Sequence, residues 1–161
     1  MHTRPSSPVL EPWGHHKTHF PIVPIEQVPE PEAAGGAIAN RPLVLVVDDD
    51  AAVTDTLVDI LNRSGYVAIA AYDGQDALET ALLVPPDLVI ADTTLPDGSG
   101  LEVAAELKSK LPGCKIVLLG AEQGAPDAMA AARLAELAFA VVEKPVQPAV
   151  LLAKVSASLK R

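Results

Sequence analysis

The chain has 161 residues, of which 49% are apolar, 3% aromatic and 20% charged, with a formal net charge of -9 and one cysteine. At ~100–200 residues per domain, that length allows one domain with a tail, and it suffices to bury a core without staples. A single cysteine excludes an internal disulfide, and an acidic, aromatic-poor chain lacks the clustered cations and stacking platforms that nucleic acid requires.

Composition changes near residue 40. Residues 1–40 hold 7 of the 15 prolines, and their apolar residues come as isolated pairs such as Val9-Leu10 and Ile22-Val23. This reads as a disordered Pro-rich tail, with polyproline character around Pro21 to Pro31 and a flexible joint at Ala33-Ala34-Gly35-Gly36. It carries 2 basic and 4 acidic residues, against 10 and 17 in residues 41–161. No apolar stretch follows the basic residues as a signal peptide needs, and no run approaches ~18 apolar residues, so a cytoplasmic chain without a membrane partner is expected. His15, His16 and His19 lie among Pro and Gly and read as solvated rather than metal-binding. Trp13 and Phe20 are the tail residues suited to anchoring a partner.

Residues 41–161 alternate between two patterns. Five apolar runs, Leu43–Val47, Val67–Ala71, Leu88–Ala91, Ile116–Leu119 and Phe139–Val142, are nearly continuous, as in strands of a parallel sheet covered on both faces. Helical spacing fills the gaps. Val53, Leu57, Ile60 and Leu61 share a face, with Asp50 as N-cap and Gly65 just past the end. Ala77, Leu78, Ala81 and Leu82 follow, with Asp73 as N-cap and Pro85-Pro86 as the stop. Ser99-x-x-Glu102 forms a capping box ahead of Leu101, Ala104, Leu107 and Leu111, and Pro112-Gly113 ends that helix. An Ala-rich helix runs from about Pro126 to Leu137, and Pro148 opens a last one carrying Leu151, Leu152, Val155 and Leu159. With right-handed crossovers, five βα units make an α/β, doubly wound parallel sheet. Cys114, between Pro112-Gly113 and the fourth strand, reads as a core-edge residue.

In such a sheet, ligands bind beyond the carboxyl ends of the strands. There the first strand ends in Asp48-Asp49-Asp50, the third in Asp92 and the fifth in Glu143-Lys144-Pro145. Taken singly, a strand-end Asp is a cap or turn residue, and a lysine is a solvated charge. Their coincidence at three strand ends of one sheet is what points to a site. Neighbouring carboxylates repel, and a divalent cation relieves that cost. Oxygen-only ligands favour a hard ion such as Mg²⁺, and a lysine ammonium then neutralises phosphate as a point charge.

The segments LVLVVDDD (43–50), DLVIADTTLPDGSG (87–100) and EKP (143–145) resemble a response-regulator receiver domain over residues 42–160, matching in type, order and spacing. The resemblance implies a flavodoxin-like (βα)5 fold with strand order 2-1-3-4-5. It makes Asp92 the phosphoacceptor, Asp48 and Asp49 the acidic pair that holds Mg²⁺ together with Asp92, and Thr94 the donor of a backbone carbonyl to the metal. Lys144, before a cis Pro145, contacts the phosphoryl group, and Thr94 and Glu122 stand where this family tunes hydrolysis. The donor is a sensor histidine kinase or a histidine phosphotransfer protein. The domain assists only its own phosphorylation and hydrolysis, so it is not expected to be an enzyme on other substrates. With the receiver running to the end of the sequence, output is expected through protein contact or relay. The usual partner or dimer surface is built from the fourth helix, fifth strand and fifth helix; Ala128, Met129 and Ala132 either make it apolar here or simply let that helix pack closely on the sheet.

Two positions depart from the family pattern. Gly120 stands where the fourth strand usually offers a Ser or Thr hydroxyl, and Val141 stands where the fifth usually carries Tyr or Phe. Phe139 is two residues away, on the same strand face but not in the same place. Leu137 also replaces a usual glycine. The expectation is a phosphorylatable Asp92 with a weakened switch. The alternative is a pseudo-receiver that binds partners independently of phosphate. Asp48-x-Asp50 also resembles the motif of haloacid-dehalogenase-like phosphohydrolases, but Ala52 replaces the Thr or Val expected there.

Overall fold

The computed structural model describes residues 40–120, 136–137 and 139–160, and of Gly98 and Ser99 the backbone alone. All of them fall in one of the two units into which the chain divides, Ala34–Arg161. Several expectations lie outside the described residues. They are the 1–39 segment with its histidines and aromatics, Glu122, nearly all of the 126–137 helix, and the Ser99 side chain on which the capping box rests. Glu136 and Leu137 are helical.

Five strands form one parallel sheet: β1 (Leu43–Val47), β2 (Val67–Ala71), β3 (Leu88–Asp92), β4 (Lys115–Gly120) and β5 (Ala140–Glu143). Their spatial order is β2-β1-β3-β4-β5, the order expected for a flavodoxin-like sheet. Four described helices connect and follow them: α1 (Ala51–Arg63), α2 (Gly74–Leu83), α3 (Gly100–Lys110) and α4 (Pro148–Leu159).

Strand alternation divides the core into two layers. Leu45, Val47, Val89, Ala91 and Leu118 point to one face, where Ala77 and Ala81 of α2 and Ala104 and Leu107 of α3 cover them. Val44, Val46, Ile90, Val117 and Leu119 point to the other, under Leu57 and Leu61 of α1 and Leu151 and Val155 of α4. The central β3 is buried at every residue, whereas the edge strands β2 and β5 are only partly so. The continuous apolar runs are thus a signature of strands covered twice.

Caps fix where the helices begin. The Asp50 carboxylate accepts N–H bonds from Ala52 (3.0 Å) and Val53 (3.2 Å), and Asp73 accepts one from Asp76 (2.7 Å). α1 closes at Ser64, and the next residue, Gly65, has φ +96°, a left-handed turn that favours glycine.

Besides one-residue shifts in strand limits, three details differ from the sequence reading. Leu82, expected on the buried face of α2, is 51% exposed, because the stripe against the sheet runs through Ala77 and Ala81 and leaves Leu82 at the rim. Phe139 precedes β5 instead of opening it, and packs against the α2/α3 layer. A two-stranded antiparallel ribbon, Thr94–Leu95 with Gly98–Ser99, occupies what reads as a plain loop after β3.

Candidate functional site

Strand register assembles the site. Val47 of β1 pairs with Ala91 of β3, so the next residues, Asp48 and Asp92, stand side by side at the carboxyl ends of the two strands. Gly120 pairs with Glu143, and the Lys144 N–H donates to the Gly120 carbonyl at 2.7 Å, which carries Lys144 to the same end. The Lys144–Pro145 peptide is cis.

At this end the Lys144 ammonium lies 3.0 Å from Asp48 Oδ2 and 3.0 Å from Asp92 Oδ2. Asp48 is 1% exposed and Asp92 8%. Their other oxygens are also engaged: Asp48 Oδ1 accepts the Asp50 N–H (3.0 Å), and Asp92 Oδ1 accepts the Thr94 N–H (3.1 Å). Asp49 is exposed, and it offers a carboxylate oxygen that lies with one from each of Asp48 and Asp92 within 4.8 Å.

Three carboxylates and one ammonium leave an uncompensated charge. Two unit charges at that separation repel by about 3 kcal/mol at an effective dielectric of ~20. Among the described residues, Lys144 is the cation that bridges the cluster. Burial lowers the pKa of its ammonium, but the hydrogen bonds and charges of Asp92 and Asp48 outweigh burial and hold it above the ordinary lysine value. The donor set is all oxygen and compact, which fits a small hard divalent ion.

The expected residues thus meet: Asp48, Asp49, Asp92 and Lys144 share one end of the sheet. The main chain of Thr94 joins them through its bond to Asp92, while its side chain is exposed. Asp50 does not contribute, because its carboxylate caps α1. Glu143 is exposed. Gly120 and Val141 flank the β4 and β5 side on one sheet face: a Cβ built on Gly120 would lie 3.5 Å from Val141 Cγ1. Val141 is itself 40% exposed.

Two residues take positions that the sequence reading assigns to neither. The fully buried Thr54 places its hydroxyl 2.9 Å from the carbonyl of Asp48 and 2.9 Å from that of Asp50, bracing the turn that holds the acidic pair. Gly100 donates its N–H to the Thr93 carbonyl (3.0 Å), and a Cβ there would fall 1.6 Å from the Asp92 carbonyl oxygen. A glycine directly ahead of a helical pattern was the available signal for Gly100. A threonine on a helix gives none for Thr54, because its partners are backbone oxygens of a preceding turn.

A family model described as the response regulator receiver domain matches residues 44–156. Among solved structures, the chain is similar to a CheY-like response regulator receiver domain protein from Methanospirillum hungatei JF-1. The identity is 28% and the TM-score 0.68, over 74% of this chain and 94% of that one. It is similar to the BeF3-activated DrrB receiver domain at 27% identity and TM-score 0.64, over 75% and 99%. The signal receiver domain of an HD domain-containing protein from Pseudomonas fluorescens Pf-5 gives 27% and 0.66, over 74% and 94%. The match spans most of this chain and nearly the whole of each neighbour, and it covers all three strand ends at which the charged cluster forms. The chain belongs to the response-regulator receiver-domain family, the phosphorylation-based signalling modules of two-component systems.

Proposed function

We propose that Asp92 accepts a phosphoryl group from a phosphohistidine on a sensor histidine kinase or histidine phosphotransfer protein. The carrying observation is the position of Lys144, 3.0 Å from both Asp48 and Asp92 at the end of a buried sheet. An Asp92 carboxylate oxygen attacks phosphorus, forming an O–P bond. The P–N bond breaks, and the imidazole nitrogen leaves with the electron pair and takes up a proton. Lys144, held charged by its carboxylate partners, turns from them toward the phosphoryl oxygens. Asp48, Asp49 and Asp92, with the Thr94 carbonyl, would hold Mg²⁺, which when bound supplies positive charge against the transferring group. The phosphoryl group is lost by hydrolysis: water attacks phosphorus, the bond between the Asp92 oxygen and phosphorus breaks, and the carboxylate is restored as inorganic phosphate and a proton are released. The domain acts on no other substrate, and its output is by protein contact or relay.

Incubation with Mg²⁺ and a small phosphodonor tests this. The expected result is one acyl phosphate per chain by intact mass, absent in Asp92→Asn. No acyl phosphate in the wild type would sink the reading. The DrrB receiver domain is BeF3-activated, and the same probe serves here.

A second reading draws on one observation, the missing side chain at Gly120 beside a half-exposed Val141. With neither hydroxyl nor ring to follow the phosphoryl group, the domain binds its partner independently of phosphate. Equal partner affinity for wild type and Asp92→Asn favours it; a difference of tenfold or so favours the first.

A further inference from the structure

The tip of the ribbon after β3 carries Asp97, five residues beyond Asp92. Its carboxylate does not face the charged cluster. Oδ1 accepts the N–H of Gly74 (3.0 Å) and Oδ2 accepts the N–H of Gln75 (3.0 Å), the first two residues of α2. Helix N-termini leave such N–H groups without intrahelical partners, so one carboxylate satisfies two of them. These bonds hold the carboxyl of Asp97 below the ordinary aspartate range. The junction is also sterically tight: a Cβ on Gly74 would come within 2.6 Å of Val103 Cγ2 on α3 and 3.1 Å of Asp97 Oδ1.

From Asp97 a continuous path leads back to the site. The ribbon pairs Leu95 with Gly98 and Thr94 with Ser99, and the Gly100 N–H closes onto the Thr93 carbonyl. The Thr94 N–H then donates to Asp92 Oδ1. The main chain at Thr94 is therefore fixed at one end by Asp92 and, through the ribbon, at the other by α2. Asp73 already caps the same helix through Asp76, so α2 does not need Asp97 merely to start.

We propose that Asp97 is a positioning residue, which ties the post-Asp92 ribbon to α2 and thereby sets the Thr94 main chain for Mg²⁺ and phosphoryl binding. This rests on the receiver reading above. Orienting groups one bond removed from a metal site change affinity by about 10–100-fold when removed, and the lower end fits a backbone ligand held through a ribbon.

The test titrates Mg²⁺ into the full chain, followed by amide shifts of residues 93–95, with thermal melts on the same samples. Asp97→Ala should weaken Mg²⁺ binding about tenfold. Asp97→Asn keeps one acceptor oxygen and should fall between it and the wild type. Asp73→Ala removes the other cap of α2 without touching the ribbon, so its Mg²⁺ affinity should match the wild type while its melting point falls. With a small phosphodonor, Asp97→Ala should need about tenfold more Mg²⁺ for half-maximal rate, yet reach the wild-type rate within about twofold at saturation. The proposal is overturned if Asp97→Ala binds Mg²⁺ as the wild type does, or if Asp73→Ala weakens binding as much as Asp97→Ala. A wild type that binds no Mg²⁺ and takes up no phosphoryl group overturns the receiver reading, and this one with it.

Discussion

The two sides of the strand-end site are built to different tolerances. On the β1/β3 side every carboxylate oxygen of Asp48 and Asp92 has a partner, Thr54 braces the turn, and Gly100 stands where no other residue fits. On the β4/β5 side, Gly120 offers no side chain, the nearest atom to its Cβ position among the described residues would be 3.5 Å away, and Val141 is half-exposed. In the proposed reading, the constrained side holds the carboxylates that would take the metal and the phosphoryl group, and the loose side holds the positions that would report it. A sequence can thus keep the chemistry while its conformational readout is thinned, because the two draw on different strand ends.

The largest effect should come from Lys144, whose ammonium reaches from the loose side to both carboxylates of the constrained side. Removing a single charge-stabilising donor from a transfer site costs about 10²–10³ in rate. Lys144→Ala should therefore lower the rate of Asp92 phosphorylation by about that factor, measured by intact mass over time. A loss below about threefold would detach Lys144 from the chemistry and leave it as an ion-pair partner.

Two glycines then give the comparison a direct form. Gly100→Ala sets a Cβ 1.6 Å from the Asp92 carbonyl oxygen and 2.7 Å from its carbon, both backbone atoms that cannot swing away. It should cost about 3 kcal/mol in urea unfolding, at the upper end for forced overpacking, and should distort the site as well. Among the described residues, a Cβ at Gly120 meets a side-chain methyl at ordinary contact distance and nothing nearer. Gly120→Ala should be neutral or stabilising by up to about 1 kcal/mol, since it restricts the unfolded chain. Equal destabilisation by the two variants would erase the distinction between the sides.

The contrast between these glycines also shows what a sequence can disclose. Gly120 is legible in the sequence because it ends the fourth apolar run where the family places a Ser or Thr hydroxyl, and strand register sets it beside Lys144. Asp48, Asp49, Asp92 and Lys144 were legible for the same reason: charge at the end of an apolar run is conspicuous, and a parallel sheet gathers strand ends. The functions of Thr54, Gly100 and Asp97 depend on backbone atoms distant in the chain or hidden in a turn, and residue type alone does not report those. The ribbon was hidden because two pairs of residues around Pro96-Asp97 carry no alternation to detect. The strand limits moved by a residue where charged or polar ends, Lys115, Asp92 and Glu143, join the ladder although they interrupt the apolar pattern.

The smallest expected effect concerns pH, and its size is the point. A raised lysine pKa contributes stability that is fully present below the unfolded value, 10.5, and is lost only as pH rises through the higher folded one. The difference in urea midpoint between wild type and Lys144→Met should therefore be the same at pH 7 and pH 9, and shrink at pH 11. Cys114 loses its advantage in a neighbouring window. Burial pushes its thiol up to about 11, so the folded state still holds the proton after the unfolded thiol has ionised near 9. Stability falls between those values in both proteins and cancels from the comparison. A gap that narrows already between pH 7 and pH 9 would mean that the ammonium discharges near neutrality. Desolvation would then outweigh the two carboxylates, and Lys144 would no longer arrive at the site as a fixed charge.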